Sequence, residues 1–448
     1  MGHPVSPDSL GDDDFKTHAL LIGATGSGKT TLLQKFIASD IERGRSLVLL
    51  DLRGDLVETV LALCADTVDP AKVILFDLRE KVQPLGFNPL FGAGEPYFRA
   101  LNVFDVIAEQ SESWGIQLAE TLRNALLLLA EAGEPLTRIE ALFYDRRFLE
   151  SCLDRCESES VVAFWHRLSA LSTDRLAAFA MPVLNKVSLL LATKNLRAML
   201  GHPKPIDLGR AVNTPGCVIL VALAVDELHS ASRMMGTLIL SALTREIFAR
   251  AQIPEAERNP IKFYVDEFEN FSSKDFEMIL SEGRRFRLSL ILAHQTLSQL
   301  SKSMRSLILG NVGMKVVFRV GSEDNVVLNR DLTGHQIFDF TMNAPGSAVI
   351  WRRASGTVPL EIGEPIFGGR KPVKCGRWPG AAEEAAKAAA TEVKEDYLDK
   401  ARAFAQRVYA IHRVMSEPGE QKVALPTKCA FEPHSEPTQA SLSLEEWL

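Results

Sequence analysis

Residues 19–37, ALLIGATGSGKTTLLQKFI, set four apolar residues ahead of a glycine-rich octapeptide and an apolar-rich run behind it. The order predicts a buried strand, a phosphate-binding loop and a helix. Gly23, Gly26 and Gly28 let the backbone wrap an anion, so that successive N–H groups and the positive end of the following helix face phosphate oxygens. Ala24, Thr25 and Ser27 complete the cradle, Lys29 reaches the β and γ phosphates, Thr30 offers its hydroxyl to Mg²⁺, and Thr31 continues into the helix. The pattern GxxxxGK[ST] is specific for a nucleoside triphosphate with Mg²⁺ when a strand precedes it and a helix follows, as here.

Outward from the loop, residues 46–51 (SLVLLD) and 72–77 (KVILFD) read as buried strands separated by helical pattern, which implies a mostly parallel sheet covered on both faces. Asp51, Arg53 and Asp55 stand at a strand's C-terminal end, where open α/β sheets bind ligands, and they equally suit a helix cap. The pattern changes near Gly92. Leu118, Leu122, Ala125, Leu126 and Leu129 share one helical face, Thr137–Glu140 has the form of a capping box, and further helices are expected over 161–172 and 181–200. Residues 95–205 are thus expected to form an all-helical inserted subdomain. It divides an α/β core into residues 1–94 and 206–370.

Strands resume over 217–224 and 261–265, and the second ends in Asp266 and Glu267. In a phosphate-loop enzyme the first of two such acids holds Mg²⁺ through water, and the second orients and polarises the attacking water. Gln295 follows an apolar strand over 288–293, where a polar side chain can sense the γ phosphate or hold the water. His294 beside it is assigned no chemistry, and the basic run 283–287 reads as a solvated face. Met314–Val320 and Ser347–Arg352 are expected strands, the second closing the sheet. Residues 371–415 are expected to supply a C-terminal helix, Ala-rich from 380. Residues 416–448 hold four prolines and few apolar residues and are expected to be disordered, ending in LSLEEWL, which suits either a short docking element or a functionless end.

Composition sets wider bounds. The 448 residues are 24% charged and 46% hydrophobic, ordinary for a globular chain, with a net charge of −7. Four Asp in residues 1–14 and six acids against two Lys in residues 416–448 carry the excess, so net charge neither marks nor excludes a nucleic-acid binder. Six cysteines lack CxxC spacing and are expected to be reduced; Cys152 and Cys156, four apart, are expected on one helix. The longest apolar run, residues 217–225, is too short to cross a membrane, and the first residues lack the apolar core of a signal peptide. A cytoplasmic location follows as the expectation.

Taken in order, THALLIGATGSGKTTLL from residue 17, LLDLRGDL from 49, FNPL at 87–90, FYVDEFENF from 263, EGRRFRLSLILAHQTLSQL from 282 and GNVGMKVVFRVGSED at 310–324 resemble the HerA/FtsK superfamily of ring-forming ATPases. They are most similar to TraG/TraD-like coupling proteins of conjugation and type IV secretion. The resemblance implies a RecA-like P-loop NTPase core with an all-helical insertion, binding ATP and Mg²⁺. Carried over by position, it implies Lys29 and Thr30 on the phosphates and Mg²⁺, Asp266 on the metal, Glu267 as the catalytic acid and Gln295 as sensor. It also implies an arginine finger at Arg284, with Arg285 adjacent as the alternative, reaching a neighbouring subunit's nucleotide. Only 22 residues precede the loop, too few for the family's membrane anchor, and the N-terminal barrel of HerA-type motors is missing. The expectation is a soluble motor core.

The function so implied is an ATP-driven, ring-forming DNA translocase of the conjugative coupling type, a homohexamer moving DNA through a central channel. Lys302, Arg305 and Lys315 are candidates for gripping DNA phosphates, with salt-dependent binding. A protein partner could dock on the helical subdomain or the tail. Two rivals remain open in the sequence: an ATP-dependent switch or scaffold in a defence or other multiprotein complex, and a HerA-like DNA-processing or protein-substrate motor.

Overall fold

A computed structural model describes residues 6–81, 84–109, 114–271, 274–332, 338–353, 356–363 and 380–416. Among them run strands β1 (Ala19–Ile22), β2 (Ser46–Asp51), β3 (Val73–Asp77), β4 (Val218–Ala222), β5 (Ile261–Val265), β6 (Leu288–His294), β7 (Met314–Val317), β8 (Ser347–Arg352) and β9 (Gly356–Glu361). Helices α1 (Asp12–Phe15), α2 (Lys29–Glu42) and α3 (Asp55–Ala65) precede β3. Between β3 and β4 lie α4 (Pro96–Glu109), α5 (Ile116–Ala132), α6 (Ala141–Tyr144), α7 (Arg146–Leu153), α8 (Glu159–Ser169), α9 (Thr173–Leu191), α10 (Lys194–Leu200) and α11 (Leu208–Asn213). After β4 come α12 (Val225–Leu228), α13 (Ser230–Phe248), α14 (Lys274–Glu282), α15 (Lys302–Asn311), α16 (Ser322–Leu332) and α17 (Gly380–Ser416).

The strands form one sheet in the order β3-β4-β2-β5-β6-β1-β7-β8-β9. Pairing is parallel from β3 through β7 and antiparallel across β7-β8 and β8-β9. Strands buried on both faces are apolar at successive positions rather than at alternate ones, which is what the LVLL of β2 and the VILVA of β4 show. Leu20, Val48, Phe263 and Leu292 face one core, together with α4, α5, α13 and α14. Leu21, Leu49, Tyr264 and Ile291 face the other, with α2, α3 and α17. Such a double covering leaves the C-terminal strand edge open for ligands.

The helices between β3 and β4 share the first of these cores: Leu126, Leu129 and Met199 pack in one cluster with Leu223 and Leu238. The loop that leads into them is clamped by charged side chains. Arg99 Nε donates to Leu90 O (2.7 Å), Arg245 Nη2 to Phe91 O (2.8 Å), and Glu246 Oε1 accepts from Ala93 N (2.6 Å). Just ahead, Phe87 of FNPL meets Phe76 edge to face, with centroids 5.9 Å apart. α17 docks on the opposite face through Ala401, Phe404 and Val408, and His412 Nε2 lies 2.8 Å from Val73 O.

Several local expectations are corrected. Thr137–Glu140 forms no capping box; Leu136 and Ile139 are fully buried and pull the segment into a 3-10 turn, and the next side-chain cap is Asp145 on Phe148 N. The helix expected from residue 181 begins at Thr173 and carries Pro182 in its interior, and a separate helix starts after Thr193, whose hydroxyl caps Leu196 N. Cys156 lies past the end of the helix that holds Cys152. β7 ends at Val317 rather than Val320, because Phe318 and Arg319 turn to pack on the phosphate loop. Ser347–Arg352 does not close the sheet; β9 pairs beyond it as a hairpin.

Among the described residues no single helix is long and apolar enough to cross a membrane, and α9 with α10 passes that test only as a pair bent by 102°. The tail 417–448, with LSLEEWL, and residues 371–379 lie outside the described residues.

Candidate nucleotide-binding site

The parallel order places the ends of β1, β6 and β5 side by side, with β6 in the middle. Ile22 pairs with His294, and Val265 with Leu292, so Gly23, Gln295 and Asp266 emerge at one edge. The loop is seated by Gly23 N donating to His294 O (3.2 Å) and Ala24 N to Arg319 O (2.7 Å). A Cβ on Gly23 would lie 2.5 Å from Phe318 Cβ, so only glycine fits there. Gly26 and Gly28 take φ of 73° and 115°, backbone that other residues adopt only at a cost.

The residues fit a triphosphate with Mg²⁺. Space is open around Gly26, the 14-residue α2 starts directly after the loop so that its N-terminal N–H groups meet the cradle, and Ser27 Oγ is buried without a partner among the described residues. Lys29 Nζ donates to Gly23 O (2.5 Å) and Ala24 O (3.1 Å) of its own loop, bonds it can exchange for phosphate oxygens. Burial lowers its pKa, opposed by the carboxylates of Asp266, Glu267 and Glu269. Thr30 is exposed at the mouth and Thr31 half-buried behind it.

Asp266 and Glu267 follow β5. Burial pushes the Asp266 carboxyl up to about 6, Asp51 and Glu267 push the same way, and Lys29 opposes them. A buried carboxyl held up by neighbouring acids is poised to accept a cation. Glu267 adopts left-handed backbone, φ 51°, with its carbonyl accepting from Asn270 Nδ2 at 3.0 Å. Its carboxylate accepts from Gln295 Nε2 (3.2 Å), and Gln295 Oε1 accepts from Thr25 Oγ1 (3.2 Å). Thr25 of the loop, Gln295 and Glu267 are thus joined in one hydrogen-bonded chain.

Two residues, Glu269 and His294, reach the site without having been assigned to it from sequence. Glu269 lies near enough to Lys29 to raise its pKa, and its Oε2 sits 2.7 Å from Nδ1 of His294. His294 is fully buried with its ring 4.8 Å from that of Phe268. The usable signal was its place as an inward position at the end of an otherwise apolar strand. Asp51 is also buried. It accepts from Arg53 N (3.0 Å), Leu56 N (2.8 Å) and Val57 N (3.1 Å), the capping role, while facing Asp266 electrostatically.

Arg284 and Arg285 stand elsewhere. They precede β6, whereas the loop follows the parallel β1, so the seven residues of β6 put about 20 Å between them and the nucleotide edge. Both are exposed, and neither guanidinium has a hydrogen bond or ion pair among the described residues. Lys315 is a correction: it is buried, 3.1 Å from Asp331 and 4.2 Å from the centroid of the Trp351 ring, and cannot grip DNA. Lys302 is exposed and Arg305 half-buried.

Residues 9–72 match the family described as the type IV secretion-system coupling protein DNA-binding domain, and residues 260–331 the TraM recognition site of TraD and TraG. In these two segments the chain is similar to TraG/TraD-type coupling proteins. The first match contains the phosphate loop and Asp51; the second contains Asp266, Glu267, Arg284 and Gln295. Among solved structures, the plasmid coupling protein TrwB with the ATP analogue ADPNP is 15% identical, covering 80% of this chain and 88% of its own at a TM-score of 0.58. TrwB with ADP and Mg²⁺ is 13% identical over 82% and 91%, TM-score 0.56. VirB4 of Thermoanaerobacter pseudethanolicus is 12% identical over 80% and 92%, TM-score 0.53. At such identities the likeness is one of fold, and it agrees with the RecA-like core expected from the sequence. No protein of curated function matches the sequence.

Proposed function

We propose that the TraG/TraD-like core binds and hydrolyses ATP with Mg²⁺, and that the chain is a ring-forming DNA translocase of the conjugative coupling type. The observation that carries the hydrolysis is the Thr25–Gln295–Glu267 chain, which ties the phosphate cradle to a carboxylate beside it. Lys29 leaves the carbonyls of Gly23 and Ala24 for the β and γ phosphates. Thr30 and Asp266 hold Mg²⁺, which supplies charge neutralisation on the phosphate oxygens. Glu267 orients the attacking water and takes its proton. Gln295 holds Glu267 in place and, through Thr25, ties that acid to the loop.

The ring reading is supported by the position of Arg284. Lying across the sheet from its own loop and exposed, it is suited to the nucleotide of a second copy rather than its own, and on this reading the site is complete only in an assembly. We place that assembly as a homohexamer. DNA as cargo is supported by the match to a coupling-protein DNA-binding family, with Lys302 and Arg305 as phosphate contacts, and a protein partner by the match at 260–331. The test is ATP turnover with double-stranded DNA, single-stranded DNA or neither at two salt concentrations, alongside strand displacement and native mass. DNA stimulation that weakens with salt, displacement and a hexameric mass are expected. Turnover indifferent to DNA, without displacement, would identify a switch or scaffold instead.

A further inference from the structure

The turn that presents Arg284 is held by two other arginines. α14 passes into β6 through the 3-10 turn Gly283–Phe286, which ends on Arg287 at φ 56°. A side chain in left-handed backbone persists only where its surroundings hold it. Arg287 Nη1 donates to Ala256 O (3.2 Å) and Arg258 O (3.1 Å). Arg258 answers in the other direction, with Nη1 donating to Arg285 O and Nε to Ile253 O (2.8 Å) and Arg250 O (3.0 Å). Its guanidinium also lies 5.4 Å from the centroid of Phe286, whose ring centroid is 4.3 Å from that of Phe248 with the planes tilted by 32°.

The strap that carries Arg258 is itself anchored. Arg250 is buried, with Nη1 donating to Asn259 O (2.8 Å) and Nη2 to Val212 O. Of the four arginines at 258, 284, 285 and 287, two therefore spend their donors on backbone carbonyls. The other two are exposed, with no hydrogen bond or ion pair of their guanidinium groups among the described residues. Fork-shaped guanidinium donors hold several carbonyls at once, which a lysine cannot do.

We propose that Arg258 is the positioning residue for the arginine finger: by pinning the carbonyl of Arg285 and the ring of Phe286 to the strap 250–259, it sets where Arg284 points. This rests on the reading that Arg284 completes a neighbour's site. Arg258→Ala leaves its own phosphate loop and acids intact and spoils only what it offers to the next subunit.

The test assigns Arg258 to one half of the composite site. Arg258→Ala should bind ATP within about twofold of the parent while kcat falls about 10²-fold, the cost of a misplacement near 1 Å. Mixed with Glu267→Gln, which keeps the finger, it should regain turnover, subunit exchange being followed by fluorescence transfer. Mixed with Arg284→Ala it should stay inactive, because no subunit then presents a usable finger. Arg258→Lys, which keeps the charge, replaces the alanine variant if that does not fold, with a loss of about tenfold and the same pattern of mixing. Recovery with Arg284→Ala, or full turnover by Arg258→Ala beside an inactive Arg284→Ala, overturns this inference alone. Full turnover by Arg284→Ala overturns the finger reading and this inference with it.

Discussion

In the proposed mechanism Lys29 and Glu267 act on different partners, so their substitutions separate binding from chemistry. Lys29 contacts phosphates of the bound nucleotide, and Lys29→Ala is expected to abolish ATP binding measured with a fluorescent analogue. Glu267 acts on the water. Glu267→Gln should bind ATP like the parent and lose about 10²–10⁴-fold in turnover, the usual scale for a positioned general base. Unimpaired turnover would remove Glu267 from the mechanism. The His294 and Glu269 pair fixes the end of β6 against the turn after Glu267, so His294→Phe should lower kcat while leaving ATP affinity within a few-fold, read from steady-state kinetics beside a binding titration.

At the scale of elements, α14 connects the acids to the finger and packs through Asp275 against α13 and α4. Burial pushes Asp275 up to about 6; Glu109 and Asp105 push the same way, while Ser241 and Arg245 oppose. An acid whose folded pKa is raised above 3.8 holds its proton more readily in the folded state. Its contribution to stability is therefore best at low pH and is lost as pH climbs from about 4 to about 6. Asp275→Asn should raise Tm at pH 8 relative to the parent, with the difference closing below about pH 4. On the other face, Phe404 docks α17 fully buried, and Phe404→Ala should cost about 3–5 kcal/mol in denaturant unfolding. An unchanged midpoint would show that α17 is not part of the cooperative unit.

For the whole molecule, the proposed finger lies opposite its own loop, and under that proposal activity is a property of pairs of subunits. Arg284→Ala should bind ATP and lose about 10³–10⁵-fold in rate. Mixed with Glu267→Gln, two inactive proteins should restore turnover, because some interfaces then hold both an intact acid and an intact arginine. Silence at every mixing ratio, with subunit exchange demonstrated, would place Arg284 within its own subunit or leave it structural and turn attention to Arg285.

The phosphate loop, the strand before it and the helix after it were legible in residues 19–37, because glycine geometry and apolar periodicity act over a few residues. The acids Asp266 and Glu267 were legible for the same reason: a buried strand that ends in two carboxylates declares its own boundary. What the tertiary structure decided lies between segments. The bond from Thr25 to Gln295 spans 270 positions and that from Gln295 to Glu267 spans 28, and both exist because β6 is inserted between β5 and β1. The same packing buries Lys315 against Asp331, brings His294 to Glu269 and sets Arg284 at the far edge of the sheet. Local propensity carries no information about strand order, which is settled by how two apolar faces are covered at once, and the partners of a polar side chain follow from that order.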